Sequence, residues 1–326
     1  MRQRVVKQHF ASAGYLARFT LGGERDSLFY VFPPGHDRYR EATPESTGFE
    51  KHYHDIDAPG ISPDQLEVFF QKFEGPACAL FRILSANQGR ALVSQKERET
   101  LTEFLALQAA RVPQGKRKYE KLALDSRIAD ATEFATSPLA FERFMSVARR
   151  HGIEVPPDFQ SKLLEGLQNG HIFPVVNKTD ASLGILRLAN AIVDQLKGMY
   201  YSLLYAEGPD WFVCSDYPVA IYYKISVPDD FHERQDNLEW PKLQPFEHTI
   251  YMPLAHNVAV MIRRFQDCPT ILRTDRHMVA LVNSLTIASA QRFICSPNPD
   301  FIFLFPGGKE IGNAADAAVV LRSLNE

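Results

Sequence analysis

The spacing of apolar residues changes partway along this chain of 326 residues, and that change constrains the fold more than any other feature. Between about 62 and 206, apolar residues recur every three or four positions, which places them on one face of a helix. After Gly208 and Pro209 come short runs rich in β-branched and aromatic residues, which are typical of strands. An earlier run, Ser27 to Phe32, has the same composition. This order predicts an α+β fold in which the mostly helical block, 62–206, packs with a mixed or antiparallel sheet from the N-terminal strand and the C-terminal third.

Local signals set the expected ends of the elements. Pro63 suits the first turn of a helix that has Ser62 as its N-cap. Ser94 begins a capping box, and Asp180 suits the N-cap of a helix over 181–206. The remaining expected elements are helices at about 117–150, 157–168, 275–292 and 312–324, and strands at about 211–214, 219–223, 249–253, 258–262, 293–295 and 301–305.

Composition and charge exclude some classes of protein. A formal net charge of -3 gives no overall attraction to nucleic acid or to anionic membranes, although a local patch can bind either. The four cysteines form no CxxC pair and are expected to be reduced thiols. The first residues lack the apolar core of a signal peptide, and the longest apolar stretch, 185–206, carries three charged residues that disfavour a membrane span. We therefore expect a cytoplasmic protein.

Two groups of polar residues in the first half of the chain are candidates for a site. His9 precedes a short apolar helix and could face a pocket as a general acid or base, or simply bond to a carbonyl. Gln108 and Arg111 lie on one face at the end of an apolar helix, where they could bind a substrate. The alternative for Arg111 is an internal ion pair, for which Glu74 is an available partner.

A third candidate lies in the second half. Ser215 and Asp216 stand between an apolar strand and Pro218, where strand ends often display catalytic groups. The alternative is a turn in which both side chains only bond to backbone groups.

Other motifs carry less weight. His52, His54 and Asp55 resemble metal ligands but lack the preceding apolar strand of a metallohydrolase. The basic stretch 111–121 is better explained as a solvated face than as a phosphate-binding surface. The insertion 224–248 carries three large aromatic residues that could bind a partner: Phe231, Trp240 and Phe246.

Several of these strings together resemble one protein family. They are Lys7-Gln8-His9, Phe104 through Pro113, Phe212 through Val219, and Arg292 through Ser296. Their order and spacing resemble DUF4238, a family of bacterial proteins of unknown function. Phe10 departs from the tyrosine that the family's first motif usually has.

The resemblance has consequences for domain organisation and for the site. It spans nearly the whole chain, so it implies a single integrated domain, 1–326, with sub-lobes at 62–206 (helical) and at 1–61 plus 207–326 (sheet-containing). It also places His9, the Gln108 and Arg111 pair, and the Ser215 and Asp216 pair inside recurring strings, which implies that they meet in space. It implies no activity.

Two hypotheses about function remain. In the first, His9, Ser215 and Asp216 are catalytic and Gln108 and Arg111 bind an anionic substrate. The enzyme is then a hydrolase acting on phosphodiesters or nucleic acid. Asp216 or Glu74 could hold a divalent metal, but few carboxylates are available to complete such a site. In the second, the chain is a non-catalytic binding or interaction module that uses an aromatic-rich surface. Neither hypothesis fixes the oligomeric state.

Overall fold

The computed structural model describes five ranges of the chain, in which helices and strands are both abundant. The described ranges are 4–33, 38–223, 248–266, 268–305 and 311–313. Their helices are Ala13–Leu16 (α1), Gln65–Ala86 (α2), Gln95–Arg111 (α3), Pro113–Thr136 (α4), Pro138–Arg150 (α5), Phe159–Gln168 (α6), Lys178–Leu196 (α7) and Arg276–Ser289 (α8). At the start of α3, the hydroxyl of Ser94 accepts a hydrogen bond from the backbone N of Glu97 at 3.2 Å, which confirms the expected cap.

The strands of the described ranges form four small sheets. The strands are Lys7–His9 (β1), Phe29–Phe32 (β2), Arg40–Ala42 (β3), Phe49–Lys51 (β4), Tyr200–Ala206 (β5), Cys214–Ser215 (β6), Ala220–Tyr223 (β7), His248–Ala255 (β8), Val258–Arg263 (β9), Ile271–Thr274 (β10), Ile294–Ser296 (β11), Ile302–Leu304 (β12) and Ile311–Asn313 (β13). The largest sheet has the order β10-β5-β9-β8-β7 and is antiparallel except where β10 meets β5. A four-stranded antiparallel sheet has the order β3-β2-β11-β6, and two further sheets pair β1 with β4 and β12 with β13.

The five-stranded sheet is buried on both faces. Successive side chains of a strand point to opposite sides. In β5, Leu203 and Tyr205 join the core with the helical block, whereas Leu204 and Ala206 pack towards α8. The sheet is therefore a middle layer, with α2, α3 and α7 on one side and α8 on the other. This architecture confirms the α+β prediction.

The helical block ends earlier than the sequence pattern predicted. The helix expected over 181–206 ends at Leu196, and Gly198 has a φ of 77°, which stops helical propagation. Residues 200–206 then form β5, because this tyrosine-rich segment pairs with β9 and β10. The N-cap of α7 is Asn177, whose side chain accepts from the backbone N of Asp180 at 2.8 Å.

Three other boundaries were wrong, and one expected helix is barely described. The helix after Ser62 begins at Gln65, and the segment 117–150 divides at Ser137. Of the strand expected at 211–214, only Cys214 pairs with a neighbour, and the strand continues to Ser215. Of the helix expected over 312–324, the first two positions are strand and the rest lies outside the described residues.

Gly184 of α7 packs directly against the ring of Tyr119 on α4. A Cβ atom added at Gly184 would lie 1.9 Å from Cε1 of Tyr119 on α4, so the ring must move if any larger side chain is introduced. We expect Gly184→Ala to lower the free energy of unfolding by roughly 1–3 kcal/mol through overpacking. Urea denaturation measures the change.

The same substitution in a Tyr119→Ala background supplies the control. Without the ring, alanine should be neutral or should stabilise α7 by up to about 1 kcal/mol, because it favours helix more than glycine does. An equal cost in both backgrounds would contradict the proposed contact.

Candidate functional site

A group of buried polar residues lies where β1 meets α2 and α3. His9 ends β1, Glu67 and Glu74 are two turns apart on α2, and Arg111 ends α3. Each segment is fixed by the apolar core around it, so these charged groups are positioned by packing that extends well beyond the site.

Arg111 is the most buried charged residue of this group. It is 0% exposed, and its guanidinium donates hydrogen bonds to the carboxylate of Glu74 and to Oε1 of Gln108, the latter at 2.9 Å. The amide of Gln108 in turn donates to the backbone O of Phe10 at 2.9 Å. The internal pair of Arg111 with Glu74 is therefore present. Both side chains already form hydrogen bonds with other groups of the protein. Direct substrate binding by Gln108 and Arg111 therefore remains a prediction.

His9 and Glu67 have polar atoms without partners. The backbone N of His9 lies 3.5 Å from Oε1 of Glu67. Neither Nε2 of His9 nor Oε2 of Glu67 has a hydrogen-bond partner in the described part of the chain. Glu67 is 5% exposed, whereas the ring of His9 is only partly buried. The free ring atom of His9, Nε2, is nevertheless buried like the carboxyl of Glu67.

Burial shifts the pKa values of these two groups in opposite directions. Desolvation, with a further contribution from Arg111, lowers the pKa of His9 below its ordinary 6.5. Desolvation raises the pKa of Glu67 to about 7, although the Arg111 charge opposes that rise. Near neutral pH, the imidazole of His9 is thus largely neutral, while the carboxyl group of Glu67, which faces the backbone N of His9, is partly protonated.

A second histidine, His54, completes the group. It is 0% exposed and packs edge-on against Phe70, with ring centroids 4.9 Å apart. Burial lowers its pKa well below 6.5, so the ring is neutral. Gln8 fixes this turn, because its Oε1 accepts from the backbone N of His54 at 2.5 Å and its Nε2 donates to Asp55 at 2.7 Å.

The structure gives backbone partners to Ser215 and Asp216. The hydroxyl of Ser215 accepts from the backbone N of Tyr217 at 3.1 Å. Oδ1 of Asp216 accepts from the backbone N atoms of 291, 292 and 293 at 2.9, 3.1 and 3.4 Å. Among the described contacts of Asp216, none reaches His9 or Arg111. A catalytic part for Ser215 and Asp216 stays a prediction, and their geometry is that of a turn.

The remaining motifs are placed as follows. Nδ1 of His52 lies 3.0 Å from Oδ2 of Asp55, and the same carboxylate forms an ion pair with Arg4. Across the described ranges, no group of three or more His, Cys, Asp or Glu side chains is arranged to hold a metal ion. In the basic stretch, Lys116 donates to the backbone O of Tyr53 at 3.2 Å. Most of the aromatic insertion, 224–247, lies outside the described residues.

Sequence analysis did not select Glu67 as a site residue, and it considered His54 only as part of a metal-like motif. A signal for Glu67 existed: Glu67, Phe70, Glu74 and Ala77 follow helical spacing, so both carboxylates share the face of α2 that carries buried apolar residues. No comparable signal marks His54, because its burial depends on Gln8 and Phe70, which are distant in sequence.

Stability should depend on pH through Glu67. Its pKa is about 7 in the folded protein and 4.5 ordinarily, so folding favours its protonated form. That contribution is complete below about 4.5 and is lost as pH rises through about 7, with a total of roughly 3 kcal/mol. Glu67→Gln cannot ionise, and it should gain roughly 2–3 kcal/mol on wild type between pH 5 and pH 8.

Urea denaturation at a series of pH values measures this difference. Glu103→Gln, which changes an exposed glutamate of α3, is the matched control and should follow wild type. Parallel curves for wild type and Glu67→Gln would show that the carboxyl of Glu67 is not perturbed.

Asp216 should contribute to stability through its three backbone contacts. Asp216→Ala leaves these N–H groups without an acceptor, and we expect a loss of roughly 2–3 kcal/mol in the free energy of unfolding. Asp216→Asn retains one carbonyl oxygen and should lose roughly 1 kcal/mol or less. Denaturation of both variants tests this, and a stable Asp216→Ala protein would refute the structural part assigned to the carboxylate.

Comparison with known proteins gives one match. The family model described as "Protein of unknown function (DUF4238)" matches residues 7–300. No curated protein and no solved structure matches the chain. In addition, no described helix has the length and apolar character needed to cross a bilayer. The matched range contains all of the site residues, from His9 to Asp216.

Proposed function

The chain belongs to the DUF4238 family, whose description names no activity, and we therefore propose from the site itself that it is a hydrolase of phosphodiesters, with nucleic acid among the candidate substrates. The observation that carries the proposal is the proximity of Glu67 to His9, whose backbone N lies 3.5 Å from Oε1 of Glu67. Both side chains have a polar atom without a partner among the described residues, and burial lowers the pKa of His9 while it raises that of Glu67 to about 7. Pairs of this kind supply a base and an acid at the same pH.

The two groups would have complementary parts in the reaction. Neutral His9 takes a proton from a water molecule as the water oxygen forms a bond to phosphorus. The bond from phosphorus to the leaving oxygen breaks, and protonated Glu67 donates its proton to that oxygen. Transfer of the proton from His9 back to Glu67, directly or through water, restores the starting state. No proton is gained or lost over the cycle apart from those of the products.

Arg111 would act on this reaction at a distance. Its guanidinium is tied to Glu74 and Gln108, so it is a positioning residue and not a ligand of the substrate. Its positive charge lowers the pKa of both His9 and Glu67. In a site of low polarity, that charge also favours the negative charge that develops on phosphoryl oxygens.

The rate should depend on pH in a defined direction. Activity requires deprotonated His9 and protonated Glu67. The specificity constant, kcat/KM, should therefore rise with pH through the pKa of His9, below 6.5, and fall as pH passes about 7. Hydrolysis of bis(p-nitrophenyl) phosphate and of a labelled oligonucleotide measures the profile. His9→Ala and Glu67→Gln should each lower kcat by about 10²–10⁴.

Two further variants make the test specific. His277→Ala removes an exposed histidine on α8 and should retain wild-type activity. Asp216→Asn distinguishes a catalytic Asp216 from one that only supports the turn, because the variant should retain activity in the second case. A wild-type protein that cleaves neither probe, or a His9→Ala protein as active as wild type, would overturn the proposal.

A further inference from the structure

A cleft of about 610 Å³ opens near Glu74, the partner of Arg111, although His9, Glu67 and Arg111 do not themselves line it. Gly75, the neighbour of Glu74 on α2, lies in its wall, and a Cβ atom added at Gly75 would meet nothing within 4 Å. Arg25 and Glu45 line the cleft and are also among the charges that act on His9. The volume suits a small metabolite and is too limited for a folded partner.

Three arginines that line the cleft have no ion-pair partner among the described residues. In the described ranges, no carboxylate lies within 4.0 Å of the guanidinium nitrogens of Arg18, Arg25 or Arg82. Arg18 is 9% exposed, its Nε has no hydrogen-bond partner, and one of its terminal nitrogens donates to the backbone O of Gly23. The charge of Arg82 disfavours that of Arg18, and the more weakly acting carboxylate of Glu24 offsets this only in part. A buried guanidinium normally has an anionic partner, so an anion would complete this arrangement.

Three carboxylates line the same cleft: Glu24, Asp26 and Glu45. All three are exposed to solvent, so they are free to accept hydrogen bonds from a ligand. Carboxylates accept hydrogen bonds from hydroxyl groups, and they repel a ligand that is anionic throughout. No aromatic side chain lines the described cleft, so nothing there would stack on a nucleobase.

From this arrangement, we propose that the cleft binds a sugar phosphate. Arg25 and Arg82 hold the phosphate together with the buried Arg18, and the three carboxylates accept hydrogen bonds from the sugar hydroxyls. The proposal rests on the proposed function in one respect, which is that the bound sugar phosphate forms one side of the ester that the site of His9 and Glu67 cleaves. Binding to the cleft stands on its own observations.

Calorimetric titration of the full chain tests the binding. Ribose 5-phosphate should bind at least tenfold more tightly than inorganic phosphate, and ribose should bind more weakly than either. Arg25→Gln and Arg82→Gln change exposed side chains and should weaken binding of both phosphate compounds tenfold or more. Arg149→Gln removes the same charge from an exposed position on α5 and should leave binding unchanged.

Two further variants test the carboxylate side of the cleft and its open wall separately. Glu45→Gln should weaken binding of ribose 5-phosphate while sparing inorganic phosphate, because only the sugar needs the carboxylate. Gly75→Leu fills the open wall without changing charge and should abolish binding of both compounds. Circular dichroism of each variant confirms that it is folded before its titration is interpreted.

Each outcome decides the proposal in one direction. The proposal fails if ribose 5-phosphate does not bind at millimolar concentration, if Arg25→Gln and Arg82→Gln bind as wild type does, or if Arg149→Gln weakens binding equally. Equal affinity for ribose 5-phosphate and inorganic phosphate would reduce the cleft to a simple anion site and refute the sugar assignment. If the wild-type protein binds ribose 5-phosphate but hydrolyses neither probe, the proposed function alone is overturned. If hydrolysis depends on His9 but is unaffected by Arg25→Gln and Arg82→Gln, this inference alone is overturned.

Discussion

The ion pair between Arg111 and Glu74 joins α3 to α2 beneath the polar site. A guanidinium with no solvent exposure is very costly to bury unless a carboxylate and further hydrogen bonds accompany it. Glu74 supplies the carboxylate, and Gln108 links the guanidinium to the backbone O of Phe10. One chain of hydrogen bonds thus connects two helices of the central block to the segment that follows β1, and it sets where His9 can lie.

The charge of this pair also determines the chemistry available around it. Arg111 lowers the pKa of His9 and partly offsets the effect of burial on Glu67, whose pKa still rises to about 7. Without the guanidinium, burial alone would drive the carboxyl of Glu67 further towards its neutral form. The same residue therefore has two parts, as a structural link between helices and as the source of the field in which His9 and Glu67 titrate.

Asp216 illustrates how a polar residue at a strand end can belong to the scaffold. Its Oδ1 accepts from three successive backbone N atoms, so it ties β6 to the segment that enters β11. Burial raises its pKa while these hydrogen bonds oppose the rise. Sequence position alone did not separate this part from catalysis, because the same turn chemistry suits both. The arginine cleft differs, because its charged residues come from the segment 18–26, from Glu45 and from Arg82, and they share no motif that the sequence analysis could detect.

The sequence by itself determined the α+β class, the helical block, the cap at Ser94 and the availability of Glu74 as a partner for Arg111. These features follow from local spacing and local chemistry, which a linear pattern contains. Only the tertiary structure decided that residues 200–206 pair as a strand, that Glu67 lies beside His9, and that Asp216 bonds to the segment 291–293. Each of these outcomes depends on a partner distant in the chain, and neither apolar periodicity nor residue propensity records which distant segment will exclude water from a given side chain.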